Sequence, residues 1–154
     1  MSDLGIPTAY GAWALASLRI ASETILAEEI GERLGLRPTS WRQSEGEPAF
    51  VVWIFESGMA PSAPLEDHLY ILMERLAERR DALMALVDDA TVEIWLSFST
   101  GSNSRTAVLN ADLLSRVSAA GIDLVLDPYP QASARRPRPD ETDDPDGDPR
   151  GDRP

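Results

Sequence analysis

The sequence has no cysteine, no lysine and a single histidine, His68, among its 154 residues. Without cysteine the chain forms no disulfide, presents no thiol nucleophile and holds no cysteine-ligated zinc. Without lysine it carries out no Schiff-base chemistry and builds no P-loop, which needs that amine at the phosphates. A lone imidazole also excludes a multi-histidine metal centre. We therefore expect no metal, no other cofactor and no catalytic residue.

The charge is strongly one-sided, because 14 basic residues, all arginine, stand against 26 acidic ones for a net charge of −12. Nucleic acids and anionic membranes are poor partners for such a chain, since binding phosphate requires clustered cations. The apolar stretch at residues 9–18 follows no basic segment, ends at Arg19 and is too short to span a membrane. We expect a cytoplasmic protein without a membrane anchor, whose partner is a basic protein or a second copy of itself.

The composition changes at residue 131. Residues 131–154 are rich in proline, aspartate and arginine and hold five arginines against seven acids, with no large apolar side chain. Such a segment has nothing to bury, and we expect a disordered tail. Residues 1–130 then form a single domain, which carries most of the negative charge.

Within that domain the hydrophobic period alternates between two and about 3.6 residues. Strands are expected at residues 12–20, 50–57, 92–99 and 122–127, with a short one at 105–109. Helices are expected at residues 24–34, at 65–87 and from an Asn110 cap to a Gly121 stop, and the long helix carries one apolar stripe: Leu65, Leu69, Leu72, Leu76, Leu83 and Val87. The order predicts an α+β fold, a two-layer sandwich with a mostly antiparallel four- to five-stranded sheet and helices packed on one face.

Several segments together resemble one known family. RLGLRPTSW, FVVWIFES, LEDHL, ERLAERRDAL and LNADLLSRVSAAGIDLVLD occur in the order and spacing of the bacterial domain-of-unknown-function 4279 family, over residues 12–129. The resemblance implies a small α+β domain without assigned catalytic residues. The sequence departs from the family pattern at Leu26, where a polar helix cap is usual, and at Pro128, which interrupts the family's Asp-Val-Tyr-like ending.

His68 is the first residue to weigh as a catalytic group. Adjacent helical residues diverge by about 100°, so Asp67 cannot orient the imidazole as the acid of a triad does. We expect His68 to be a solvated residue in the first turn of the long helix. The loop STGSNSR at residues 99–105 has the small residues of a phosphate cradle but no following GK[ST], and is expected to be a hairpin turn.

The acidic clusters have ordinary structural explanations. The pairs Glu28/Glu29 and Asp88/Asp89 are expected to be solvated charges at helix ends. Glu93, Asp123 and Asp127 would converge on a cation, or serve a hydrolase, only if their strands were neighbours.

The tryptophans are the remaining candidates for a site. By the period of two, Trp13 shares the outer face of its strand with Arg19, and Trp95 also points outward. The pattern leaves the side of Trp53 open; if it also points outward, three indoles lie on an open sheet face, which would indicate an interface. Alternatively, residues 38–48 fold across that face and cover the rings with Trp41.

Two functions follow from these residues. The first is a non-enzymatic protein-interaction module, of the immunity type or self-associating, that uses Trp13, Trp53 and Trp95 together with its acidic surface. The alternative is a small-ligand-binding domain with a pocket between the Trp41 loop and the sheet, where Arg19, Arg42 and Gln43 orient the ligand.

Overall fold

A computed structural model describes residues 12–100 and 107–129. The elements follow one another as β1 (Ala12–Ser22), α1 (Ala27–Leu34), β2 (Ser40–Gln43), β3 (Val51–Glu56), α2 (Leu65–Leu76), a 3₁₀ turn (Ala77–Arg79), α3 (Arg80–Leu86), β4 (Thr91–Thr100), α4 (Ala111–Ala120) and β5 (Asp123–Tyr129). The predicted tail at residues 131–154 and most of the expected hairpin loop lie outside the described residues.

The strands form one five-stranded sheet in the order β2-β3-β1-β4-β5. Three of the four neighbouring pairs are antiparallel, and only β4 and β5 run parallel. That parallel pair requires a crossover, which α4 supplies. The predicted α+β class and the mostly antiparallel sheet are therefore confirmed.

The core lies on one face of the sheet because side chains alternate along each strand. On β1, Ala16, Leu18 and Ile20 are fully buried, and their register partners on β3 and β4 point the same way. These residues form a single cluster with the buried side chains of all four helices. Ile54, on the opposite face of β3, is buried but does not belong to that cluster.

The helix ends agree with the sequence in three places. Gly35 and Gly121 end α1 and α4 with φ of 62° and 67°, the left-handed conformation that glycine adopts without strain. The Asn110 side chain caps α4 by accepting a hydrogen bond from the Leu113 N–H at 2.9 Å.

The helix expected at residues 24–34 begins instead at Ala27. Leu26, at the N-cap, has no side-chain acceptor, and the preceding turn is held by Ser22. The Ser22 Oγ accepts from the N–H of Thr24 at 3.1 Å and of Ile25 at 3.0 Å. A local side-chain bond thus replaces the first helical turn.

The long helix expected at residues 65–87 is interrupted by the 3₁₀ turn at Ala77–Arg79. Each 3₁₀ residue advances the chain by about 120° rather than 100°, so three of them shift the apolar stripe by about 60°. As a result Leu83 and Leu86 are buried, whereas Val87, which was predicted to lie on the stripe, is 43% exposed. Residues 107–110 are not a strand, so the short strand expected there is also wrong within the described residues.

The Asn110 cap provides a test of the local architecture. Replacing Asn110 with alanine leaves the Leu113 N–H without its acceptor and should lower the free energy of unfolding by about 1 kcal/mol. Urea denaturation followed by circular dichroism measures this change. Asn110→Asp, which keeps an acceptor oxygen, should stay within a few tenths of a kcal/mol of the wild type; equal losses in both variants would contradict the capping role.

Candidate functional site

The sheet face opposite the hydrophobic core is here called the far face. Its residues are fixed by strand register and comprise Trp13, Leu15, Ser17, Arg19 and Ala21 on β1, Ser40 and Arg42 on β2, Val52, Ile54 and Glu56 on β3, Thr91, Glu93, Trp95, Ser97 and Ser99 on β4, and Asp123, Val125, Asp127 and Tyr129 on β5. The predicted outward placement of Trp13, Arg19 and Trp95 on one common face is therefore confirmed.

Arg19, Trp95 and Glu93 form a cluster near the middle of the far face. The guanidinium carbon of Arg19 lies 4.1 Å from the centre of the Trp95 ring. The Trp95 Nε1–H donates to the Glu93 carboxylate at 2.8 Å, and Glu93 is the register partner of Arg19. A cation over an indole contributes about 0.5–2 kcal/mol, depending on desolvation. The contact shows that a ring on this face accepts a guanidinium.

A second aromatic group lies at one end of the same face. The rings of Trp13 and Tyr129 are 5.0 Å apart with their planes inclined by 55°. This is a tilted arrangement of the kind that aromatic pairs favour. Asp127, two residues before Tyr129 on β5, points to the same face and accepts a hydrogen bond from the Ser97 hydroxyl at 3.2 Å. Two rings thus lie beside a carboxylate that is already fixed in position.

The far face is not fully open. Ser17, Ser97 and Ser99 lie on it but are only 4–5% exposed. Each is small and has a larger register neighbour: Trp95 beside Ser17, Trp13 beside Ser99, and Leu15 beside Ser97. The large side chains therefore stand over the small ones and form a relief of ridges and depressions.

Trp53 and Trp41 lie elsewhere, so the condition for three indoles on the open face, an outward Trp53, is not met. Trp53 is fully buried and alternates with the far-face residues of β3. The structural reason is that α1 packs over this side of β3: a Cβ at Gly31 would lie at van der Waals distance, 3.9 Å, from the indole nitrogen of Trp53. Trp41 is the register partner of Trp53 and belongs to the same face.

Residues 38–48 do not cover the far face either. Residues 40–43 form β2, an edge strand whose four side chains are exposed, and Trp41 is 56% exposed. The predicted pocket between Trp41 and the sheet does not form, because Trp41 is part of the sheet. The two best-defined cavities of the described residues, of about 300 and 440 Å³, include neither Trp41, Arg42, Gln43 nor Arg19 in their walls.

His68 is buried rather than solvated, contrary to the prediction. Its ring is 0% exposed and bonded on both nitrogens, with Nδ1 2.7 Å from the Ser57 hydroxyl and Nε2 3.0 Å from the Ala60 carbonyl. Because the carbonyl only accepts, Nε2 carries the proton and the Ser57 hydroxyl donates to Nδ1. The sequence did contain a signal: position 68 is three residues after Leu65, on the apolar side of the helix.

The Ser57–His68 pair resembles a nucleophile and its base, yet its surroundings indicate a structural role. Ser57 is 1% exposed, and neither residue lines either of the two described cavities. The Nε2–H is held by a backbone carbonyl rather than by a carboxylate, so the imidazole lacks the hydrogen-bonded acid of a triad. The pair fastens the connection between β3 and α2 to the helix.

The acidic clusters do not assemble into a metal site. β4 and β5 are neighbours, as the convergence of Glu93, Asp123 and Asp127 required, and Glu93 faces Asp123 in register. Asp127, however, lies four residues further along β5, about 13 Å away. No group of three potential ligands is positioned to hold a metal ion in residues 12–100 and 107–129. Glu29 pairs with Arg33 one helical turn on, and Glu28, Asp88 and Asp89 are exposed.

The fold and the site define a small α+β domain with an aromatic and acidic sheet face. Residues 9–131 match the family described as domain of unknown function (DUF4279), and the chain belongs to that family. No curated protein and no solved structure shows significant similarity to the chain. In the described part of the chain, no helix is both long and apolar enough to cross a membrane.

The buried imidazole makes stability depend on pH. Burial lowers the pKa of His68 below its ordinary value of 6.5, against smaller opposing effects of the Ala60 carbonyl, Asp67 and Glu56. Below pH 6.5 the imidazole of His68 is therefore protonated in the unfolded chain but remains neutral in the folded chain. The contribution of the neutral His68 to the free energy of unfolding is complete above pH 6.5 and is lost as the pH falls below that value.

We expect the difference in unfolding free energy between the wild type and His68→Gln to shrink when the pH is lowered from 7.5 to 5.5. Urea denaturation at each pH measures it, and the comparison removes the titration of carboxylates common to both proteins. A difference that stays constant or grows as the pH falls would refute the neutral, buried state of His68.

Proposed function

We propose that this protein is a non-catalytic interaction module that binds a basic protein through its far face. The observation that carries the proposal is the Trp13–Tyr129 ring pair beside Asp127. Aromatic rings next to a carboxylate suit the side chains of arginine and lysine, which combine a cation with an apolar stem.

Charge supports this choice of partner. The far face holds four carboxylates, those of Glu56, Glu93, Asp123 and Asp127, and two arginines, Arg19 and Arg42. Arg19 is engaged over Trp95 and beside Glu93, so it already occupies the middle of the face. A partner's guanidinium would stack on the rings of Trp13 and Tyr129 in the way that the Arg19 guanidinium stacks on Trp95. The net charge of −12 would steer a cationic protein to the domain.

The geometry offers little support for catalysis. Of the side chains that could act as nucleophile and base, Ser57 and His68 are in hydrogen-bond contact but are enclosed. An immunity-type role, in which the acidic domain neutralises a basic toxin, is one form of the proposal. The absence of cysteine in the sequence agrees with a cytoplasmic setting, which we include in the proposal.

A titration with a short arginine-rich peptide tests the proposal. Chemical-shift changes in ¹H–¹⁵N spectra should map to the far-face residues of β1, β4 and β5. Trp13→Ala should weaken the peptide's affinity about two- to fivefold, which corresponds to the loss of one exposed cation–π contact. Asp127→Asn should weaken it to a similar extent, and rising salt should weaken binding in all variants.

The helix layer supplies matched controls. Tyr70, 43% exposed on α2, lies 5.1 Å below the guanidinium of Arg116 and is the same kind of aromatic–cation pair on the opposite side of the molecule. Asp112 is an exposed carboxylate on α4. If Tyr70→Ala and Asp112→Asn weaken the peptide as much as the far-face variants do, binding is non-specific charge attraction and the proposal fails.

A further inference from the structure

The outer edge of β2 is one of the two open edges of the sheet. β2 is the last strand of the sheet and pairs only with β3, and all four of its side chains are exposed. An edge strand presents unpaired N–H and C=O groups that another strand can complete. No described strand lies on this side of β2.

The register identifies which backbone groups point outward. The Ser44 N–H donates to the Phe50 carbonyl at 2.8 Å, so this pair is hydrogen-bonded. Hydrogen-bonded and non-hydrogen-bonded pairs alternate in an antiparallel ladder, and Arg42 therefore directs its groups at Val52. The N–H and C=O groups of Trp41 and Gln43 are left pointing away from β3.

We propose that β2 pairs antiparallel with β2 of a second copy of this chain, with Trp41 opposite Trp41, so that the two sheets become continuous. The inference is independent of the proposed partner on the far face. It uses the backbone edge of β2, whereas that partner would bind side chains of β1 and β5.

Charge selects this register among the symmetric ones. A symmetric pair that uses the outward groups is centred on Trp41, on Arg42 or on Gln43. Centring on Arg42 sets two arginines directly opposite each other, which is destabilising. Centring on Gln43 sets Trp41 opposite the acidic Glu45. Centring on Trp41 instead sets Arg42 opposite Ser40 and packs the two exposed indoles side by side.

The pairing is confined to the strand itself. Residue 39 and residues 45–48 are bends, and the Thr39 N–H donates inward to the Ile54 carbonyl at 2.7 Å. The interface is short, so we expect a weak dimer. Two chains of net charge −12 repel each other, and added salt should strengthen the dimer by screening that repulsion.

Sedimentation equilibrium from about 10 µM to 1 mM, a range suited to weak association, measures the dimer in 0.05 M and 0.3 M salt. We expect reversible dimerisation that is several-fold tighter at 0.3 M, the opposite of the salt dependence of a basic partner. Trp41→Ser should weaken the dimer, because it removes the pair of indoles, whereas Tyr70→Ser, which removes an exposed ring on α2, should leave it unchanged. Circular dichroism verifies that each variant folds.

Cross-linking tests the register separately, since the chain has no native cysteine. Trp41→Cys should give a disulfide-linked dimer under mild oxidation, because directly opposite Cα atoms are about 5.5 Å apart. Arg42→Cys is the matched control and should not cross-link, because its counterpart is displaced by two residues and lies beyond about 7 Å. Cross-linking at position 42 but not 41 would overturn the register. A monomer over the whole concentration range would overturn the pairing of two copies. The free edge of β2 would then be open only to a strand of another protein.

Discussion

The position of β1 at the centre of the sheet determines the rest of the structure. It pairs with β4 over ten residues and with β3 over six, and both pairings are antiparallel. Because side chains alternate, a shift by one residue would exchange the core residues Leu18 and Ile20 with Arg19 and its neighbours. The cost of burying Arg19 among the helices fixes the register, and the register in turn fixes which aromatic rings reach the far face.

The helices are attached to this sheet by a few polar side chains at the chain connections. Ser22 donates its hydroxyl to the Asp89 carbonyl at 2.9 Å, which joins the end of β1 to the segment before β4. Arg79 donates to the Leu34 carbonyl at 2.9 Å, so the 3₁₀ turn satisfies the C-terminal end of α1. His68 performs the same task between β3 and α2. These bonds satisfy backbone groups that the packed layers would otherwise leave without partners.

The features that the sequence predicted correctly are those governed by local chemistry. The caps at Asn110, Gly35 and Gly121 each depend on one residue type, and the alternation of β4 depends on a period of two. The prediction failed where distant contacts decide. β2 has no apolar alternation and exists only because β3 offers it an edge. The 3₁₀ turn interrupts a stretch of good helix formers, where Arg79 reaches α1.

The candidate site divides in the same way. Trp13, Arg19 and Trp95 could be assigned to one face from their own strands, because neighbouring polar residues mark the outward side. Trp53 could not, since its strand is apolar on both sides and the packing of α1 on one of them decides its direction. The burial of His68 follows from its position on the apolar stripe of α2, three residues after Leu65, and the neighbouring Asp67 gives no sign of it.

The two proposed surfaces are compatible, and the sheet order explains why. β2 is at one edge, whereas Trp13 and Tyr129 are on β1 and β5, which lie two and four strand positions away. At about 4.8 Å per strand, a second copy at β2 would leave the ring pair about 10–20 Å from the new interface. Side chains of directly opposite residues point to the same face, so both far faces would lie on the same side of the joined sheet. A dimer of this kind would present two copies of the acidic aromatic site to one partner, and simultaneous binding at both would raise the affinity beyond that of either alone.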